Sequence, residues 1–339
     1  MESSAGIAER GAAPGAVGGV ERPGARLPRR DRPSARGPAA RTASARRAAT
    51  ELLAHARDYL ALTKPRIISL LLWTTVATML VARPEGLALS TVLWTCLGGY
   101  LAAGGAGAIN HYIDRDIDAR MGRTRGRPIV SGRIAPVHGL IFGIALGVLA
   151  TVQLTLTVNA LAAALALAGL LGYVLLYTAW LKPRTPQNIV IGGAAGAMPP
   201  LVGWAAATGG LTLEALVPFA IVFLWTPPHF WALALMISDD YERTGVPMLP
   251  VVRGARFTRS RILAYSLVLV GFTLLPFATG MLGAVYLTAA VVLGAGFVGL
   301  AARLMREPSK RAALQLYLSS LAYLFLLFGA MAADQILAV

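Results

Sequence analysis

Two short clusters of carboxylates interrupt an otherwise apolar chain. The first is Asn110-His111-Tyr112-Ile113-Asp114-Arg115-Asp116-Ile117-Asp118, and the second is Asp239-Asp240-Tyr241-Glu242-Arg243. They hold six of the sixteen acidic residues, each cluster lying where an apolar segment runs out and a basic loop begins. Acids in such places cost free energy unless they hold something cationic. Asn110, Asp114 and Asp118 recur every four residues, so on a helix they form a ladder along one face. Mg²⁺ suits such a ladder, because it takes one or two carboxylates and fills its remaining positions with water and phosphate oxygens. Asp116 points the other way, towards Arg115 or Arg120. A solvated helix end would explain a lone ladder, but a second acidic cluster in another loop argues for a site that binds Mg²⁺ and a diphosphate.

Cations follow directly. Arg123-Thr124-Arg125-Gly126-Arg127-Pro128 trails the first cluster, and Lys182-Pro183-Arg184 closes a later apolar segment. Arginine forks match phosphate oxygens bidentately, and lysine supplies a point charge. Metal and arginine beside a diphosphate stabilise the charge that grows on a leaving group. Of four histidines, His55 and His138 look peripheral, and His111 lies inside the first cluster. His229 stands in Trp225-Thr226-Pro227-Pro228-His229-Phe230-Trp231, late in an apolar segment. A satisfied structural histidine is one reading; aromatic neighbours and a helix break at the prolines give the other, a pocket for a planar ligand.

The elements that position these residues are membrane spans. Of 339 residues 56% are hydrophobic and only 14% charged, with mean hydropathy +0.63. Soluble domains carry about a quarter charged residues. A span needs about 20 apolar residues, and nine candidates occur, roughly 66–83, 88–109, 136–156, 159–180, 188–208, 213–236, 261–280, 282–302 and 313–333. The connections after spans one, three, five and seven are short and nearly uncharged, beginning with Pro84-Glu85-Gly86. Those after spans two, four, six and eight are basic. The positive-inside rule puts the basic connections and the N-terminus in the cytoplasm. The fold class is thus an all-α polytopic bundle. Close glycines such as Gly104, Gly105 and Gly107 allow helices to approach in lipid. Cys96 lies in an apolar run and reads as a packing residue.

Residues 1–54 read as a disordered basic cytoplasmic tail, and residues 55–339 as the intramembrane domain. The first fifty residues hold ten arginines against four acids and few large apolar side chains, too few to bury a core. Nothing in this stretch resembles a secretory signal, because no apolar h-region precedes Asp58. A mitochondrial transit peptide is the alternative to a tail that touches anionic lipid, with Glu2, Glu9, Glu21 and Asp31 counting against it. The tail has no interleaved aromatics, which argues against nucleic acid as a partner.

Several runs are similar to a known family. They are Asp58-Tyr59 through Thr63-Lys64-Pro65-Arg66, Asn110 through Asp118 with Arg125 to Pro128, Thr185-Pro186-Gln187-Asn188 on to Met198-Pro199-Pro200, Trp225 to Trp231, and Asp240-Tyr241 with Gly245 to Pro250. Over roughly residues 55–335 the chain resembles the protohaem IX farnesyltransferases, or haem O synthases, a branch of the UbiA-type intramembrane prenyltransferases. The resemblance implies about nine helices around a central cavity. It also implies Mg²⁺ as cofactor, and farnesyl diphosphate and haem B as substrates, giving haem O and diphosphate. Asn110, Asp114, Asp118, Arg125 and Lys182 are then the catalytic candidates. Arg127, Arg184, His229, Asp240 and Tyr241 are the substrate-binding ones, and Asp114, Asp118 and Asp240 the metal ligands. The second motif is irregular, with Asp239, Asp240 and Glu242 where relatives that make quinones carry carboxylates four apart.

Membrane lipid surrounds the protein on this reading, and haem A synthase or terminal oxidase assembly supplies candidate partners. High Ala, Gly and Arg with only three lysines favours a bacterial plasma membrane over the mitochondrial inner membrane. The rival readings are a prenyltransferase of an aromatic acid or quinone precursor, a secondary transporter, and a structural assembly factor for a respiratory oxidase. The phosphate clamp beside the ladder argues against the transporter.

Overall fold

The computed structural model describes residues 38–83 and 86–338. The chain divides into two units, residues 1–49 and 50–339. Of the first unit, only residues 38–49 are described, and they are helical. Helix α1 spans Pro38–Thr63. It begins inside the stretch expected to be disordered to residue 54, because alanine and arginine there are strong helix formers. The rest of that expected tail, residues 1–37, and the Pro84-Glu85 part of the first short connection lie outside the described residues.

The second unit is built from α2 (Pro65–Ala82), α3 (Leu89–Ile113), α4 (Arg115–Arg120), α5 (Pro136–Thr157), α6 (Ala160–Leu171), α7 (Asn188–Gly196) and α8 (Met198–Thr208). It continues through α9 (Leu216–Met236), α10 (Ser238–Thr244), α11 (Leu249–Phe272), α12 (Leu275–Ala278), α13 (Ala284–Arg306) and α14 (Lys310–Ala338). The described residues contain no strand. Nine helical segments among them are long and apolar enough to cross a membrane: 65–82, 89–113, 136–157, 160–181, 188–208, 213–236, 249–278, 284–306 and 310–338. These match the nine expected spans. The seventh starts earlier than expected, at Leu249, so Arg253, Arg256 and Arg259 lie in helix rather than loop. Gly254 (φ 78, ψ 162) kinks it, a conformation open to glycine at no steric cost.

Local chemistry sets several boundaries. Pro65 and Pro136 open α2 and α5 at a position where the missing N–H has no helical partner anyway. Asn159 caps α6 by accepting from Ala162 N–H at 2.8 Å, and donates to the Ala205 carbonyl at 2.8 Å. Past Leu171 the helix widens into a π-helical stretch, Gly172–Leu181, a geometry often met at functional sites. Span five is two helices, α7 and α8, hinged at Ala197.

The helix break expected at Pro227-Pro228 does not occur: α9 runs through both prolines. Each proline removes one backbone bond to the carbonyl four residues earlier, yet α9, packed against α11 and α14, continues as helix.

The bundle closes through α2 against α8 and α14, α3 against α5, and α9 against α11 and α14. The α3–α5 pairing depends on small residues, as expected. A Cβ on Gly105 would lie 2.7 Å from the Gly143 carbonyl oxygen. The basic connections gather at one end. Lys182, after span four, pairs with Asp114, after span two. α10, after span six, packs on α4. Lys310, after span eight, lies 3.8 Å from Asp239. The even-numbered connections therefore share one face of the bundle.

Candidate active site

Asn110, Asp114 and Asp118 are all buried, at 3%, 3% and 2% exposure. α3 ends at Ile113 and α4 begins at Arg115, so the ladder spans a turn at Asp114 rather than one helix. The rise of four residues per step survives the turn. Asp114 N–H donates to the Asn110 carbonyl at 2.9 Å, and Asp118 N–H to the Asp114 carbonyl at 2.8 Å.

Every acid of the ladder is answered by a cation. Lys182 Nζ donates to Asp114 Oδ2 at 2.6 Å, and Arg127 Nη1 to Asp118 Oδ2 at 2.5 Å. Asn110 Nδ2 donates to Asp114 Oδ2 at 2.7 Å and to Thr178 Oγ1 at 3.2 Å. Thr178 in turn donates to the Tyr173 carbonyl across the π-helical turn. That wide turn brings Tyr173, Thr178 and Lys182 of one segment to the same cluster.

Lys64 is the residue that the motif reading missed. Its Nζ donates to Asn110 Oδ1 at 2.6 Å. It is the one described non-glycine residue at positive φ (φ 59, ψ 54). Burial, then the like charge of Arg127, pulls its ammonium down to about 7. A signal was present in the sequence. The chain has three lysines, and each touches one of the two acidic clusters: Lys64 at Asn110, Lys182 at Asp114 and Lys310 at Asp239.

The second cluster is looser. Asp240 pairs with Arg243 of its own helix, and Asp239 and Glu242 are exposed. Tyr241 packs against the core, and burial holds its phenol above the usual range. Arg125 is exposed and pairs with no acid among the described residues, so the structure does not bring it to the ladder. Arg184 also stands apart, donating at 3.1 Å to the carbonyls of Ala179 and Trp180. Those are end-of-helix carbonyls without a helical partner, the nearest acceptors for a basic side chain there. His111 is buried, with Nδ1 unpartnered. His229 is also buried, on α9, its Nδ1 2.6 Å from Ser320 Oγ.

Beside the ladder opens an apolar cavity of about 240 Å³, walled by α2, α3, α6 with its π-helical extension, α7 and α8. Small side chains on α3, including Gly99, Ala103 and Ala106, leave the room, and Phe230 of α9 closes part of it. Lys64 is the single charged residue on its wall, and Tyr173 lies beside it. The site thus sets a cluster of buried charges beside an apolar cavity, with Lys64 at their junction.

Among the described residues, no group of three or more His, Cys, Asp or Glu side chains is arranged to hold a metal. For Mg²⁺ that donor set is adequate, since two carboxylates, waters and phosphate oxygens complete its shell.

Residues 71–329 match the model of the UbiA prenyltransferase family. The chain is 56% identical over 281 residues to a protoheme IX farnesyltransferase of Roseiflexus sp. (strain RS-1), covering 83% of this chain and 52% of the relative. A protein of the same name from Symbiobacterium thermophilum is 56% identical over 282 residues, covering 82% of this chain and 94% of the relative. The chain therefore spans about half the length of several curated relatives and nearly all of others.

Among solved structures, a digeranylgeranylglyceryl phosphate synthase shares the fold at TM-score 0.69 and 20% identity, over 83% of this chain and 99% of that one. A UbiA homologue from Archaeoglobus fulgidus, bound to DMAPP and Mg²⁺, gives TM-score 0.62 at 16% identity, over 83% and 100%. The buried ladder, the apolar cavity beside it and the family match over most of the chain agree: this multi-pass membrane protein belongs to the UbiA prenyltransferase family.

Proposed function

We propose that this protein transfers a farnesyl group from farnesyl diphosphate to a vinyl group of haem B, with addition of water, to give haem O. The observation that carries the reading is the junction at Lys64, where the buried charges of the ladder meet the apolar cavity. The haem acceptor rests on the relatives named above, supported by the aromatic cage around His229.

Asp114 and Asp118 would hold Mg²⁺, while Asp240, on the neighbouring α10, is paired with Arg243 and is not grouped with them. Bound there, Mg²⁺ supplies positive charge to the diphosphate oxygens as they become a leaving group. Lys182 and Arg127 neutralise the two ladder acids. When substrate enters, those cations are the nearest partners for its phosphate oxygens. Lys64 faces the ester oxygen at C1. The C1–O bond breaks and diphosphate leaves with the electron pair. The apolar wall keeps water from the allylic cation until the haem vinyl carbon attacks C1. Water then adds its oxygen to the cation formed on the side chain and loses a proton, leaving a hydroxyethylfarnesyl group. Arg125 is exposed and takes no part in this reading.

The basic end of the bundle faces the cytoplasm of a bacterial cell in this reading, with the spans in the plasma membrane. Its product would pass to haem A synthase or terminal oxidase assembly. The test supplies labelled farnesyl diphosphate to detergent-purified protein with either haem B or a phenolic acid as acceptor. Label in extracted haem is the expected result. Label only in the phenol discards the haem acceptor and keeps the prenyl transfer.

A further inference from the structure

His229 follows two prolines on α9, yet its ring is fixed by residues of α14. Tyr317 stacks on one face, with centroids 4.7 Å apart and planes at 25°. Trp225, one turn earlier on α9, stacks on the ring at 4.3 Å and 19°. Trp225 Nε1 also donates to the Ser320 carbonyl at 2.8 Å, tying the two helices together at this level.

The hydrogen bond between Ser320 and His229 has only one sense. A serine hydroxyl carries a single proton. Ser320 Oγ lies 2.6 Å from the Tyr317 carbonyl oxygen, which can only accept, so its proton goes there. Towards His229 Nδ1, 2.6 Å away, Ser320 can then only accept. Nδ1 carries the ring proton, and Nε2 is left with a lone pair in the ring plane. Among the described residues Nδ1 is the only ring nitrogen of His229 with a hydrogen bond. With stacking partners on the ring and the Nδ1 edge taken, the Nε2 edge is the one left for a ligand in the ring plane.

A lone pair so placed selects its partner. It repels anionic oxygens, so neither a haem propionate nor a diphosphate belongs there. It suits a metal ion, and histidine ligands commonly fix their tautomer through the other ring nitrogen. We infer that Ser320 is a positioning residue that holds His229 as the Nδ1–H tautomer, so that Nε2 is an axial ligand to the iron of the haem acceptor. This rests on the haem reading above.

The test is a titration of the full-length, detergent-solubilised protein with ferric haem B, read by the Soret band. His229→Ala should shift the band and weaken binding. Ser320→Ala should move the band in the same direction and weaken binding about tenfold, the usual scale for a lost partner of a metal-bound histidine. Ser320→Thr, which keeps the hydroxyl, should restore both. Ser320→Cys, close in size but a poor acceptor, should behave as Ser320→Ala does and guards against a folding defect in the alanine variant. A wild-type band in Ser320→Ala and Ser320→Cys, with a shifted band in His229→Ala, overturns the role of Ser320. A wild-type band in His229→Ala overturns ligation itself. Absence of any bound-haem band in the wild type would strike the haem reading beneath both.

Discussion

Lys64 donates a 2.6 Å hydrogen bond to Asn110 from a left-handed backbone, φ 59 and ψ 54. That conformation costs a residue with a Cβ about 1–2 kcal/mol. Glycine would adopt it freely, and Pro65 follows immediately, so the strain is kept where the ammonium meets both the ladder and the cavity. Strain held in this way is common where a side chain must be aimed.

Lys64→Gly should therefore separate stability from activity. We expect a thermal unfolding midpoint equal to or above that of wild type, with turnover reduced at least tenfold. Lys64→Arg should recover part of the turnover. An active Lys64→Gly variant would remove Lys64 from the chemistry.

Asp114 and Lys182 form a buried pair, with side chains 4% and 11% exposed. Removing one partner strands the other, at a cost of about 3–5 kcal/mol. Asp114→Asn should lose product formation more than a hundredfold and lower stability as well. The double variant Asp114→Asn with Lys182→Met should regain much of the stability and none of the activity. Chemical denaturation beside a turnover assay separates the two effects.

The cavity predicts a change in chain-length preference. Ala103 lines it on α3, seven residues before Asn110, about 10 Å along the helix. Ala103→Leu should block the far part of a farnesyl tail and spare a shorter one. The ratio of kcat/KM for geranyl over farnesyl diphosphate should rise about tenfold, the range expected when a pocket rejects added methylenes. An unchanged ratio would place the tail elsewhere.

Asp334 is an acid in the last span that the structure explains without chemistry. Its carboxylate accepts the N–H groups of Gly283 and of Tyr286, the latter at 3.1 Å, and so caps α13 from α14. Asp334→Ala leaves both donors unmet at a cost of about 1–3 kcal/mol each. Its unfolding midpoint should fall while the activity of the folded fraction stays at the wild-type level.

Asp334 and Asp114 show what the sequence carries and what it does not. Both are acids among apolar residues, and only spacing marks Asp114 as part of a site. Asp334 is isolated, and its partners lie about fifty positions away, so nothing local announces a cap. The nine spans were readable because hydropathy and loop charge have long periods that survive small errors in boundaries. Lys182 was readable as a cation near a span end. Arg125 and Arg184 share that feature, yet one is exposed and the other closes its own helix, because loop charge does not fix direction. Pro227-Pro228 suggested a break that tertiary packing overrides. The π-helical turn of 172–181, which carries Thr178 to Asn110, has no local sequence marker.

The most direct measurement is the mass of haem extracted after incubating purified protein with haem B, farnesyl diphosphate and Mg²⁺. The account predicts a product heavier by one farnesyl group plus water, absent with EDTA and absent in Asp114→Asn. Unchanged haem in the wild type, or a full yield of product from Asp114→Asn, would contradict it.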